Sequence, residues 1–285
     1  MKICWYDEWK LGLVVGDEVL DVTAALDALP PQAYPGGSPG DALIAHLDAV
    51  RARIEDLQGS AQRLPIRQVC LLSPVANPSK IIGAPVNFPS HAEEAKAQTG
   101  VFKQYHGGIV DQGLFLKANS SLVGCDQGVK LRFPERQTHH EIELGVVIGK
   151  VASCVLEDEA LRYVAGYAVA LDMTVRGSED RSFRKSLDTY SVLGPWLTTA
   201  DEIPDPQILD LTLSVNGLLR QNSNTRHMIM GVARQIAWAS TIYTLYPGDI
   251  IMTGTCEGVG RVADGDVMEA AVGSLGNMRV AVRSA

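Results

Sequence analysis

Glu141 and Glu143 stand two residues apart inside an apolar, β-branched run, Thr138-His139-His140-Glu141-Ile142-Glu143-Leu144-Gly145-Val146-Val147-Ile148. In an extended strand alternate side chains share a face, so the two carboxylates point one way while Ile142 and Leu144 point the other. Burying two like charges together costs of order several kcal/mol unless a cation intervenes, and a hard divalent ion bound through carboxylate oxygens is an economical one. A third acid, Asp172, sits near the C-terminal end of another apolar run, residues 166–176. Three acids on neighbouring strands could hold one face of an octahedral ion and leave the opposite face to water or substrate. Spacing alone leaves that reading level with the plainer one of strand-end or salt-bridged acids. A zinc site built from His139 and His140 is disfavoured, because adjacent strand residues face opposite ways and cannot share one ion.

The elements that must position these groups are mostly strands. Runs of β-branched and alternating residues predict strands over 80–82, 114–117, 128–132, 140–148, 164–174, 196–199, 211–215, 249–253 and 265–272. Val215-Asn216-Gly217-Leu218-Leu219 is a hairpin signal of type I′. Helical apolar spacing marks 41–57, 157–164 and 231–243. Residues 1–74 read as a small accessory domain with its own short antiparallel strands, followed by a loop through Pro30-Pro31, Pro35-Gly36-Gly37 and Pro39-Gly40. Residues 75–285 form the larger unit. The fold class expected is mainly β with some α, an α+β arrangement.

Composition narrows the function. At 285 residues and 46% hydrophobic, the chain can bury a full core. A formal charge of −8 without a basic cluster argues against nucleic acid or an anionic membrane as partner. An anionic small molecule stays admissible, because local cations and a metal reverse the field within one cleft. Cys4, Cys70, Cys125, Cys154 and Cys256 lack any C-x-x-C spacing and read as reduced. With no signal-peptide pattern and no apolar run near the length of a membrane span, the expected compartment is the cytoplasm.

Six separated segments together resemble the fumarylacetoacetate hydrolase family, and its acylpyruvate hydrolase-like members in particular. They are Lys80-Ile81-Ile82-Gly83 leading to Asn87 and His91-Ala92-Glu93-Glu94; Leu114-Phe115-Leu116-Lys117; His140-Glu141-Ile142-Glu143-Leu144; residues 166–176; Lys185-Ser186 with Leu193-Gly194-Pro195; and Gly248-Asp249-Ile250-Ile251-Met252-Thr253-Gly254-Thr255 running to Glu257-Gly258-Val259-Gly260. Each is weak alone, but all occur in the family's order across residues 75–285. The resemblance implies a mixed β-roll with a divalent ion at its mouth and a homodimer.

The same resemblance places the Mg²⁺ or Mn²⁺ ligands on Glu141, Glu143 and Asp172, and a catalytic dyad on His91 and Glu94 of a short lid helix. A spacing of three puts that pair on one helical face, where the carboxylate orients the imidazole. Lys185 matches an active-site lysine, Arg176 an arginine suited to a carboxylate, and Thr253-Gly254-Thr255 a loop whose Gly254 and Thr255 face the substrate carboxylate. The implied reaction is metal-dependent cleavage of a C–C bond in a 2,4-dioxo acid such as fumarylpyruvate or maleylpyruvate, giving pyruvate and a carboxylic acid in aromatic catabolism. Decarboxylation of oxaloacetate-like substrates or isomerisation of hydroxymuconate-type dienes would use the same enolate. A third class, a silent member that only binds a keto acid, is disfavoured because every one of these residues is present. Four departures stand out: Glu179 where many relatives have glutamine, Cys256 in place of proline, Ala118 in place of a common proline after Lys117, and Phe88-Pro89-Ser90 before the dyad. Cys256 lacks an activating neighbour in the sequence and reads as a packing residue.

Overall fold

A computed structural model describes residues 1–31, 39–97 and 108–285. Its spine is one long sheet in the spatial order Arg63–Pro65, Glu18–Asp21, Lys10–Val15, Lys2–Tyr6, Ser191–Thr199, Val164–Asp172, Ile142–Ile148, Ile250–Met252, Ile81–Gly83, Phe115–Lys117. A second sheet runs Leu218–Asn224, Asp210–Val215, Val267–Val272, Asn277–Ser284, Val129–Leu131. A small third sheet, Thr174–Val175, Thr138–His140 and Gly260–Val262, closes one end. The architecture is mainly β with some α, as the alternation of apolar residues predicts.

The long sheet is covered on both faces, which explains why every residue of Ile142–Ile148 is buried. Ile142, Leu144, Val146 and Ile148 pack with Leu211, Leu213, Met268 and Val280 of the second sheet. Val147, on the opposite face, joins Ala168, Ala170, Leu193 and Ile250 against Ile44, Val50 and Ile54 of the N-terminal helices. Glu143 shares the Val147 face by strand alternation, and Asp172 shares the Ala168 and Ala170 face of its own strand. The antiparallel register sets Glu143 opposite Ala170 and Ile142 opposite Leu171. Asp172 N–H then donates to the carbonyl of Glu141 at 2.9 Å, so Glu141 and Asp172 face each other at the end of the ladder. The register thereby brings together acids that lie about thirty residues apart in the chain.

Most expected elements are present, with local differences. The Asn216-Gly217 turn has φ values of 52° and 77°, the left-handed pair a type I′ hairpin needs. The 231–243 spacing becomes the helix Val232–Ile242. The 41–57 spacing divides at His46 into Ala42–Ala45 and Leu47–Leu57, with the Asp41 side chain capping Ile44 N–H. The expected 157–164 helix is instead a 3-10 turn, Glu157–Tyr163, because Val164 is already claimed by the long sheet. The N-terminal unit joins the remainder through Lys2 opposite Thr198 and Ile3 opposite Leu197, continuing the long sheet. Part of the expected proline-glycine loop, Pro35-Gly36-Gly37, lies outside the described residues. No helix among the described residues is long and apolar enough to cross a membrane.

Candidate active site

Glu141, Glu143 and Asp172 each present an oxygen within 4.8 Å of the others, and all three are buried. Two lysines reach the same carboxylates. Lys185, at the end of the helix Arg181–Lys185, donates to Glu141 Oε2 at 2.7 Å and to Asp172 Oδ2 at 2.6 Å. Lys117 donates to Asp172 Oδ1 and, at 2.7 Å, to the carbonyl of Tyr190. Thr174 Oγ1 donates to Glu141 Oε1 at 2.9 Å, and the Arg176 guanidinium lies 3.8 Å from the same oxygen.

Burial alone would raise the Glu141 pKa, but Lys185, Arg176 and His91 outweigh it and hold the carboxyl well below the usual range. Glu143 behaves oppositely: burial, then the charge of Asp172, push its pKa well above the ordinary value. Burial likewise drives the Lys117 ammonium below its usual value even though Asp172 pulls the other way. The repulsion among the three acids that these cations leave in place falls on Glu143. Each carboxylate oxygen also keeps lone pairs beyond the bonds named above. Three hard carboxylate oxygens within 4.8 Å of one another fit a small divalent cation of the magnesium or manganese type.

The backbone amide of Gly254 fixes Glu143 by donating to its Oε2 at 2.7 Å. Gly254 has φ +96°, and a Cβ there would lie 2.6 Å from Asn87 Cβ, so only glycine lets the amide approach. Thr255, expected to face the substrate, directs its hydroxyl to the carbonyl of Ile142 at 2.7 Å. Cys256 is buried, and burial pushes its thiol up to about 12, which suits a packing role and not a nucleophile. Glu179 pairs with Arg136 at 2.8 Å.

His91 and Glu94 lie on the helix Pro89–Ala97, with His91 Nδ1 3.1 Å from Glu94 Oε2. The other carboxylate oxygen of Glu94 accepts the Gly258 amide at 3.2 Å. Burial would raise Glu94, but the bonds from His91 and Gly258 hold its pKa below the usual value. A carboxylate on Nδ1 leaves the imidazole Nε2 as the base. The helix is anchored at its start by the fully buried Asn87, whose amide donates to the carbonyls of Met230 and Thr253 and accepts from Met230 N–H. Lys117 and Thr174 touch the acids, and Gln221 the N–H of the intervening Ile142, without having been singled out from sequence. A lone polar residue within a strand carries no spacing that names its partner.

A sequence model described as fumarylacetoacetate (FAA) hydrolase, C-terminal, matches residues 80–283. The chain is 53% identical to a maleylpyruvate hydrolase of Aquipseudomonas alcaligenes, covering all of both chains. It is 40% identical to a 2,4-didehydro-3-deoxy-L-rhamnonate hydrolase of a Sphingomonas species over 72% of this chain and 74% of that one. In structure it superposes on maleylpyruvate hydrolase from Sphingobium sp. SYK-6 in complex with manganese(II) and pyruvate, with a TM-score of 0.84 and 40% identity over 100% of this chain and 99% of that one.

Proposed function

Because the chain belongs to the fumarylacetoacetate hydrolase family, we propose that it is a divalent-metal-dependent hydrolase that cleaves an acylpyruvate to pyruvate and a carboxylic acid. The observation that carries this reading is the buried set of Glu141, Glu143 and Asp172, whose oxygens lie within 4.8 Å of one another. The full-length likeness to maleylpyruvate hydrolases supports maleylpyruvate as the first substrate to test.

Glu141, Glu143 and Asp172 are the residues that would hold Mg²⁺ or Mn²⁺, which when bound supplies Lewis-acid stabilisation of negative charge on a 2-oxo oxygen. His91, oriented through Nδ1 by Glu94, takes a proton from water at Nε2 as the oxygen adds to the distal C4 carbonyl. Glu94 compensates the positive charge that then develops on the ring. The C3–C4 bond breaks with its electron pair passing to C3 and into the adjacent 2-oxo group. Protonation at C3 completes pyruvate, and the acyl half leaves as a carboxylic acid. Lys185 sets an ammonium beside the acids, where charge accumulates. Arg176 offers a guanidinium fork to the substrate carboxylate. Gly254 and Thr255 shape the same wall by holding Glu143 and Ile142. The chain pairs as a homodimer in this reading and works in the cytoplasm, where five free cysteines are at home.

The test is a substrate panel of maleylpyruvate, fumarylpyruvate, oxaloacetate and a hydroxymuconate-type diene, followed by pyruvate, carbon dioxide and ultraviolet assays. Equimolar pyruvate and acid from an acylpyruvate, abolished by EDTA and restored by Mn²⁺ or Mg²⁺, is expected. Carbon dioxide as the sole product, or diene isomerisation without pyruvate, would contradict hydrolysis and point to a decarboxylase or isomerase.

A further inference from the structure

The strand that bears the acids loses its neighbour where the chemistry begins. Ile142–Ile148 pairs with Ile250–Met252 only from Gly145 to Val147, and Thr253 N–H adds one more bond, to the carbonyl of Leu144. Glu141 already spends its carbonyl on Asp172 across the other edge, so the N–H and C=O of Ile142 point toward the edge the strand has vacated. Both are nonetheless satisfied, and by side chains. Ile142 N–H donates to Gln221 Oε1 at 3.1 Å, and Thr255 Oγ1 donates to the Ile142 carbonyl at 2.7 Å.

Gln221 is fully buried although Leu218, Leu219 and Arg220 before it in the same strand are exposed. Its Oε1 also meets His140 Nδ1 at 3.0 Å, and its Nε2 donates to Thr255 Oγ1 at 2.8 Å and to the Cys256 carbonyl at 3.0 Å. Donors and acceptors match in only one orientation of the amide. Thr255 has given its hydroxyl hydrogen to Ile142, so it can only accept from Gln221, and the Ile142 N–H requires an oxygen. The bonds form a closed circuit, Gln221 to Thr255 to the Ile142 carbonyl, and from Ile142 N–H back to Gln221. Gly258 (φ +88°) makes this closeness achievable, since a Cβ there would lie 2.0 Å from the Arg220 carbonyl. The next strand thus presses directly on the loop that bears Thr255 and Cys256.

We propose that Gln221 is a positioning residue for the metal site: it stands in for the missing strand, clamps the peptide between Glu141 and Glu143, and thereby sets the separation of the two carboxylates. The proposal rests on the reading of those acids as metal ligands. Outer groups that hold ligands in place commonly control metal affinity by 10–100-fold.

The test is Gln221→Met, which keeps the volume of the side chain and removes the amide that makes these bonds. Metal-stripped wild-type and variant proteins are titrated with Mn²⁺, bound ion being read by electron paramagnetic resonance, and Tm is measured in parallel. At least tenfold weaker Mn²⁺ binding by folded variant is expected. A variant that loses Tm yet keeps the wild-type Kd would overturn the proposal and leave Gln221 a packing residue. If the variant does not fold, the ¹⁵N spectrum of wild-type His140 decides: the orientation argued above requires Nδ1–H, and an Nε2–H ring would overturn it. Wild-type protein that takes up no Mn²⁺ would instead bring down the metal reading itself, and this inference with it.

Discussion

Replacing Lys185 by methionine separates the charge balance of the site from its chemistry. Lys185 makes two charge-assisted bonds, at 2.7 Å to Glu141 and 2.6 Å to Asp172, with its side chain only 9% exposed. Removing one partner of a buried ion pair costs about 3–5 kcal/mol. Asp172 keeps Lys117, and Glu141 keeps Thr174, so the lower end, about 3 kcal/mol, applies. At about 2–4 °C per kcal/mol for a chain of this size, metal-stripped Lys185→Met should melt roughly 6–12 °C below metal-stripped wild type. Removing the ammonium also removes the cation that competes with a divalent ion for the same oxygens. Mn²⁺ at a hundredfold excess over Kd stabilises by about 2.7 kcal/mol, and a tighter Kd in the variant enlarges that gain at equal Mn²⁺. Calorimetry in EDTA and in Mn²⁺, checked by urea unfolding, should therefore show a larger Mn²⁺-induced rise in Tm for the variant than for wild type. A variant with wild-type Tm in EDTA, or with a smaller Mn²⁺ shift, would refute this account of the lysine.

Other outcomes follow from the same geometry. His91→Asn should lower acylpyruvate hydrolysis by about 10²–10⁴-fold while Mn²⁺ binding persists, and wild-type turnover would remove His91 as the base. Burial holds the thiols of Cys4 and Cys256 up to about 12, so thiolate forms there only as pH approaches that value. Thiol labelling of native protein near pH 8 should then be confined to the exposed Cys70 and Cys154, and rapid modification of Cys256 would show that its loop opens. Glu179→Gln weakens a half-buried, two-bond pair with Arg136 and should change kcat/KM by less than about threefold, measured with the acylpyruvate identified by the substrate panel.

What the chain discloses before folding depends on whether the information is local. Glu141 and Glu143 are legible because a strand's two-residue period puts both on one face, and the Asn216-Gly217 hairpin because its turn chemistry lies within five residues. Asp172 needs the antiparallel register as well, which the two apolar runs suggest but do not specify. Gln221 and Lys117 could not be found this way: one meets Ile142 from 79 residues away and the other meets Asp172 from 55. The pairing of Lys2 with Thr198 is equally hidden, and so is its effect of carrying the long sheet into the N-terminal unit. The 3-10 turn at Glu157–Tyr163 shows the converse, a local helical spacing overruled when Val164 is drawn into a sheet.

The central claim is that Glu141, Glu143 and Asp172 exist to hold one divalent ion on which hydrolysis depends. Titrating metal-stripped protein with Mn²⁺, with bound ion and pyruvate release from maleylpyruvate recorded on the same samples, addresses it directly. The account predicts one bound ion per chain, pyruvate release rising in proportion to occupancy, and loss of both in Glu143→Gln. Full-rate pyruvate release from protein shown to contain no metal would contradict it.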